Sequence, residues 1–323
     1  MIAENEKRKL IVLTGPTSVG KTKLSLRLAK MVGGEIISAD SMQVYRHMNI
    51  GTAKIRPEEM EDVPHHLIDC LNPDEEFNVS VFQQMALQAM EGIYERGHIP
   101  IVTGGTGFYI QALLKNVSFD EEERNDGYRE KLEQIALQEN GTDLLYQELL
   151  LQDKDAAEAI PKQNVKRVIR ALEFKHYHGY CISEHNRKEA LRDSDYQFAY
   201  FVLQRNRDEL YRRIDERVDM MMEQGLLQEI MTIKDLGYAD CTVSMQGLGY
   251  KQMLAFLNGE CTLEEAVYRI KLETRHFAKR QMTWFRREKD CIFFNLSDMS
   301  EDDVLQEMAR ILKEKLIISG ECR

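Results

Sequence analysis

Long apolar runs are missing from this chain. Residues 1–9 are mostly polar and charged, and the stretch behind them, Leu10-Ile11-Val12-Leu13, is far too short for a signal sequence or a membrane span. The sequence therefore predicts a cytoplasmic protein with no membrane contact. C-x-x-C pairs are missing too. Cys70, Cys181, Cys241, Cys261, Cys291 and Cys322 stand singly, with no His at zinc-finger spacing. That pattern predicts free, buried thiols and excludes a zinc finger or a disulfide framework. There is no internal repeat and no low-complexity linker, and nothing calls for an obligate protein partner. What remains is a chain of 323 residues, 43% apolar, which can bury the core of one large or two ordinary domains.

Positive charge is also scarce overall. A net charge of −11 argues against a nucleic-acid partner until it is resolved along the chain. Residues 162–188 then carry about +5 and residues 266–289 about +6, so the remainder is strongly acidic. Two basic segments on an acidic protein can present one surface to a polyanion, or can be two solvated helix faces.

The most specific signal is Gly15-Pro16-Thr17-Ser18-Val19-Gly20-Lys21-Thr22, which spells G-x-x-x-x-G-K-T directly after the apolar run 10–13. A strand brings the chain to the sheet edge, the glycines let backbone N–H groups wrap an anion, and the following helix adds its positive end. Lys21 then reaches the outer phosphate oxygens and Thr22 holds Mg²⁺. The helix closes at Gly33-Gly34.

Buried-strand patterns recur at Leu10–Thr14, Glu35–Ala39, Ile99–Thr103, Ala199–Leu203 and Cys291–Phe294, with helical periodicity between them. This predicts an α/β fold, a P-loop NTPase-like parallel sheet core. Residues 78–96 form a helix capped by Asn78 or Ser80, and residues 262–289, free of Pro and Gly, form one long helix. Strand signal disappears between about 118 and 196. The expected organisation is a core over 1–118, an all-helical insertion over 119–196, and a return to the core over 197–323 that carries the long basic helix.

Three further places carry chemistry. Asp40, after the second strand, lies where a second substrate meets the phosphate, as a base, an Asx turn or a neighbour of Mg²⁺. Thr103-Gly104-Gly105-Thr106-Gly107 is either a turn or a second site where backbone and Thr106 approach a phosphate oxygen unobstructed. Arg213 and Arg217, four apart on one helical face, either clamp a leaving diphosphate or pair with Asp215 and Glu209.

The blocks together resemble the bacterial tRNA dimethylallyltransferases. They comprise the phosphate loop, Asp40-Ser41-Met42-Gln43-Val44-Tyr45-Arg46, Ile50-Gly51-Thr52-Ala53-Lys54, His65-His66-Leu67-Ile68-Asp69 and Gly104-Gly105-Thr106-Gly107-x-Tyr109. Arg170-Ala171-Leu172-Glu173, Gly249-Tyr250-Lys251-Gln252 and Lys279-Arg280-Gln281-Met282-Thr283-Trp284-Phe285-Arg286 complete them, in order over nearly the whole chain. The resemblance implies that dimethylallyl diphosphate sits on loop 15–22 and that the adenosine 3′ of the anticodon in tRNA is flipped into the site. Asp40 takes the proton from its exocyclic nitrogen; Lys21, Thr106 and Arg217, with Arg213 and Arg129 as further candidates, stabilise the departing diphosphate. Gln43 reads the adenine edge beside Ser41 and Met42. Arg129, Lys166, Arg167, Arg170, Arg275, Lys279 and Arg280 hold the anticodon stem-loop. Many relatives have Gln-Arg where this chain has Lys166-Arg167, so 166 reads as phosphate attraction. The zinc-finger extension of eukaryotic relatives is absent, which makes 300–323 a packing helix. Without the resemblance, a P-loop kinase of a nucleotide or small metabolite fits the loop and arginines. A non-catalytic RNA-binding NTPase switch fits the basic segments.

Overall fold

The computed structural model describes residues 7–117, 127–241 and 243–318, so Cys322 lies outside the described residues. Six strands, β1 (Arg8–Thr14), β2 (Gly34–Ser38), β3 (His65–His66), β4 (Ile99–Gly104), β5 (Tyr196–Gln204) and β6 (Cys291–Asn295), form a parallel sheet in the order β3-β2-β4-β1-β5-β6. The parallel α/β core expected from the sequence is what is found. β3 is an addition. Its two histidines have no apolar run, and they join the sheet by pairing with Ile36 and Ile37 of β2.

The sheet is buried on both faces because successive strand residues point to opposite sides. Leu10 and Val12 enter one core, while Ile11 and Leu13 enter the other. The helices on the first part of the chain are α1 (Lys21–Val32), α2 (Val79–Glu95) and α3 (Gly107–Leu114). Phe82, Ala86, Met90 and Ile93 of α2 pack on the Val12 side, and Leu24, Leu28 and Ala29 of α1 on the Leu13 side. Asn78 is the cap of α2, its side chain accepting from Ser80 N and Val81 N. α1 stops at Gly33, whose φ of 64° suits glycine; Gly34 already belongs to β2.

Two compact units divide the chain. One is Lys115–Ser194; the other holds the residues up to Leu114 and from Asp195 onward. Tyr196, assigned to the insertion from the sequence, opens β5 opposite Arg8. The smaller unit contains α4 (Tyr128–Ala136), α5 (Gly141–Gln152), α6 (Lys154–Ala159), α7 (Val165–His178) and α8 (Ile182–Ala190). Its own core is built from Leu132, Leu145, Leu149, Val168, Ile169 and Leu172. The larger unit resumes with α9 (Arg207–Glu223), α10 (Leu226–Asp235), α11 (Tyr250–Leu257), α12 (Leu263–Phe285) and α13 (Glu301–Glu314). α12 starts on a capping box formed by Thr262 and Glu265 and ends at Phe285, short of 289, because the chain turns through Asp290 (φ 63°) into β6. α13 buries Val304, Leu305, Met308, Ile311 and Leu312 against the Leu13 face. The five cysteines among the described residues are free but only half-buried. No helix among those residues is long and apolar enough to cross a membrane.

Candidate active site

The phosphate loop joins β1 to α1 and is tied down one peptide at a time. Lys21 Nζ donates to Gly15 O and Pro16 O, both at 2.9 Å. Arg213 Nε donates to Ser18 O (3.0 Å), Arg205 Nε donates to Val19 O (2.9 Å), and Thr17 N donates to Gln281 Oε1 (2.9 Å). Gly15 (φ 149°) admits no side chain, since a Cβ there would lie 2.5 Å from Leu203 O. Gly20 (φ 113°) is the N-cap of α1 and supplies no capping side chain. The first amides of that helix have no partner within the helix, which is the arrangement an anion fills.

Electrostatics favour the same occupant. Burial and the neighbouring charge of Arg217 push Lys21 down to about 7, against the pull of Asp40. Burial also lowers Arg217, again opposed by Asp40. Two buried cations with a single opposing carboxylate between them in electrostatic terms are a mark of a site that accepts negative charge. Thr17, Asp40, Ser41, Met42, Thr106, Arg217 and Arg280 line a cavity of about 470 Å³. Phe77, Tyr109, Val218, Met221, Ile270 and Phe277 give it apolar walls. Lys21, Thr22, Asp40 and Gln43 line a smaller one of about 50 Å³, so Asp40 touches both.

Asp40 makes the Asx turn that was one of its possible roles, Oδ1 accepting from Met42 N at 2.9 Å. Gln43 accepts from Ser38 Oγ (3.1 Å) and donates to Thr52 O (3.3 Å), which leaves its amide one further donor and one further acceptor.

The remaining candidates differ in their partners. Arg213 reaches the phosphate loop and makes no hydrogen bond to Asp215 or Glu209; Glu209 is bonded by Arg205. Asp215 instead accepts both arms of Arg275, which also lies over the Tyr211 ring. Lys279 and Arg280 are exposed on α12. In the smaller unit, Arg129 and Arg170 both bond the buried Glu173, whereas Lys166 and Arg167 stand exposed on α7.

The glycines of loop 104–107 are held to that residue type by close protein neighbours. A Cβ on Gly104 would meet Ala39 O at 2.2 Å, on Gly105 Gln281 Nε2 at 2.1 Å, and on Gly107 Trp284 Cδ1 at 2.2 Å. Protein neighbours already require these three positions to be bare.

Residues 43–288 match the family model described as IPP transferase, and residues 8–72 match one described as isopentenyl transferase. A tRNA dimethylallyltransferase of Lachnoclostridium phytofermentans is 55% identical over 96% of this chain and 99% of its own length. The chain belongs to the IPP transferase family. Among solved structures, the full-length tRNA isopentenylpyrophosphate transferase of Bacillus halodurans superposes with a TM-score of 0.73 at 42% identity, covering 96% of this chain and 97% of that one. A eukaryotic dimethylallyltransferase acting on tRNA gives 0.81 at 31% identity, covering 96% of this chain and 79% of that one. These matches support neither the kinase nor the NTPase-switch reading.

In this IPP transferase fold, three supports of the site were not singled out in the sequence. Arg205 braces Val19 O and Leu296 O. Glu229 accepts N–H groups of Asn49, Ile50 and Gly51 and the Tyr250 hydroxyl, and Gly51 is bare because a Cβ would strike the Tyr250 ring. That loop presents Thr52 O to Gln43. Gln281, quoted only as part of a motif, bonds two loops at once. Only Gln281 carried a sequence signal, its place in the block 279–286; Arg205 follows the strand run 199–203 and Glu229 belongs to no block.

Proposed function

We propose that the chain transfers a dimethylallyl group from dimethylallyl diphosphate to the exocyclic amine of the adenosine 3′ of the anticodon in tRNA, releasing diphosphate. The observation that carries this reading is Asp40 at the junction of two cavities, one lined by Lys21 and Thr22 and the other, apolar-walled, by Arg217 and Thr106. The diphosphate rests on loop 15–22 and the α1 N-terminus, with the five-carbon group among the apolar walls. A new bond forms from the amine nitrogen to the allylic carbon while that carbon's bond to the diphosphate oxygen breaks. Asp40 receives the amine proton on Oδ2, since Oδ1 is engaged by Met42 N. Lys21 and Arg217 stabilise charge on the leaving diphosphate, and Thr106 adds a hydroxyl. Gln43 uses its remaining donor and acceptor on the adenine edge. Lys166, Arg167, Lys279 and Arg280 attract the RNA backbone.

Mg²⁺ fits the residues present. No group of three His, Cys, Asp or Glu side chains that could hold a metal occurs among the described residues. Mg²⁺ needs none, since it keeps several waters and takes one or two protein ligands beside phosphate oxygens. Thr22 would hold it through its hydroxyl, with Asp40 as a neighbour lining the same cavity. The ion supplies shielding of the diphosphate charge. The working place is the cytoplasm, where tRNA and the donor meet. The test is incubation with unmodified tRNA, dimethylallyl diphosphate and Mg²⁺, followed by mass analysis of the digested nucleosides. One adenosine heavier by the five-carbon group supports the reading; unchanged nucleosides refute it.

A further inference from the structure

Gln281 is buried on α12, 6% exposed, and both ends of its amide are used on backbone groups of different loops. Oε1 accepts from Thr17 N in the phosphate loop (2.9 Å), and Nε2 donates to Gly105 O in the loop after β4 (3.0 Å). Thr17, Thr106 and Gln281 line the same cavity as Asp40 and Arg217. An amide is the uncharged side chain that offers a donor and an acceptor at one end, so this position can bridge an N–H to a C=O where Glu or Met cannot. The fit is close: Gly105 has no room for a Cβ against Nε2. One turn further along α12, Trp284 presses on Gly107 in the same loop, though without bonding it.

We infer that Gln281 is a positioning residue for departure of the diphosphate. It sets the spacing between the loop that cradles the phosphates and the loop that carries Thr106, and it commits the Thr17 amide to the protein. This rests on the reading of the cavity as a diphosphate site. The roots of the two loops are joined by the β1–β4 ladder and by Thr14 Oγ1 donating to Gly104 O (2.6 Å); further out, between Thr17 and Gly105, the span passes through the Gln281 amide from α12. The effect on catalysis is indirect, through Thr106 and the phosphate loop.

The test uses the full chain with Gln281→Met, close in size but unable to make either bond, and with Trp284→Phe as a control that trims the apolar contact to the same loop. Gln281→Met is expected to lower kcat at least tenfold and to weaken calorimetric binding of inorganic diphosphate with Mg²⁺ at least threefold. KM for tRNA stays within twofold and the thermal midpoint within a few degrees. Trp284→Phe changes kcat less than threefold. Equal kcat for Gln281→Met and wild type, or equal losses in both variants, overturns the inference and leaves Gln281 as packing. Should Gln281→Met not fold, Gln281→Glu, which keeps the acceptor for Thr17 and loses the donor for Gly105, reads the same quantities with the same expectation. Wild-type protein that forms no modified adenosine refutes the proposed function instead, so the two failures are distinguishable.

Discussion

At the start of β2, Glu35 is buried among partners: Arg96 bonds it with two nitrogens (2.8 and 2.7 Å), and His66 and His98 each lie at 2.7 Å. Just past the end of the same strand, Asp40 is the one opposing charge felt by both Lys21 and Arg217, and burial lowers both cations against it. The hydrogen bonds from Arg96 hold Glu35 down to about 2, helped by His66 and His98 and opposed by burial. Lys21, by contrast, is pushed toward neutrality. One end of the strand closes its charges into a finished cluster, and the other leaves positive charge unspent. A completed ion cluster serves stability; an incomplete one beside a cavity serves binding.

The largest expected effect is at the incomplete end. Asp40→Asn keeps the Asx turn but loses the proton acceptor, so single-turnover rates with both substrates saturating are expected to fall about 10²–10⁴-fold. A rate within threefold of wild type would remove Asp40 as the base. Lys21→Ala should lower kcat/KM for the diphosphate about 10²–10³-fold, the usual loss for one charge-stabilising donor. Filter binding of tRNA should hardly change; a parallel loss there breaks the separation of the two substrates.

The finished cluster should show the converse. Glu35→Gln is expected to leave kcat alone and to reduce unfolding free energy by about 2 kcal/mol at neutral pH, the usual scale for hydrogen bonds to a charged group. A carboxylate with a depressed pKa stabilises fully above its unfolded value, 4.5, and stops doing so as pH falls toward about 2. The urea midpoints of wild type and variant should therefore converge over that acid window; a constant gap contradicts the assignment. The smallest effect concerns the basic helix. Lys279→Ala should reduce the slope of log K for tRNA against log salt by about 0.9 if it contacts duplex stem. Arg275→Ala, already engaged by Asp215, should change the slope less and stability more. Equal slope changes would restore Arg275 as an RNA contact.

What was legible in the sequence was local. Loop 15–22 is contiguous, and its neighbours on either side carry the strand and helix periods, so both the fold and a candidate phosphate site could be read there. Five strands were visible as apolar runs, though β5 extends outward to Tyr196 because it ladders with Arg8–Leu10, a pairing no local pattern announces. β3 was hidden because two histidines have no periodicity. The supports were hidden by distance: Gln281 meets Thr17 across 264 residues and Arg205 meets Val19 across 186. The glycines at 104–107 were visible as a cluster, but the tightness at Gly105 and Gly107 comes from Gln281 and Trp284 of α12, which the sequence could not place, and that at Gly104 from the Ala39 backbone.

The central position of β1 between β4 and β5 also governs how the chain is made. Ile11 pairs with Ala199, and the whole unit Lys115–Ser194 is synthesised between them. At the usual pace of translation one flank of Leu10–Leu13 waits roughly 10–40 s for its partner strand to emerge. Four aliphatic side chains that end with no solvent exposure, beside an unpaired row of amides and carbonyls, form a sticky nascent edge for that interval. A chain truncated before Tyr196 keeps that edge for good, and its fate is aggregation or chaperone capture rather than a half-working phosphate loop.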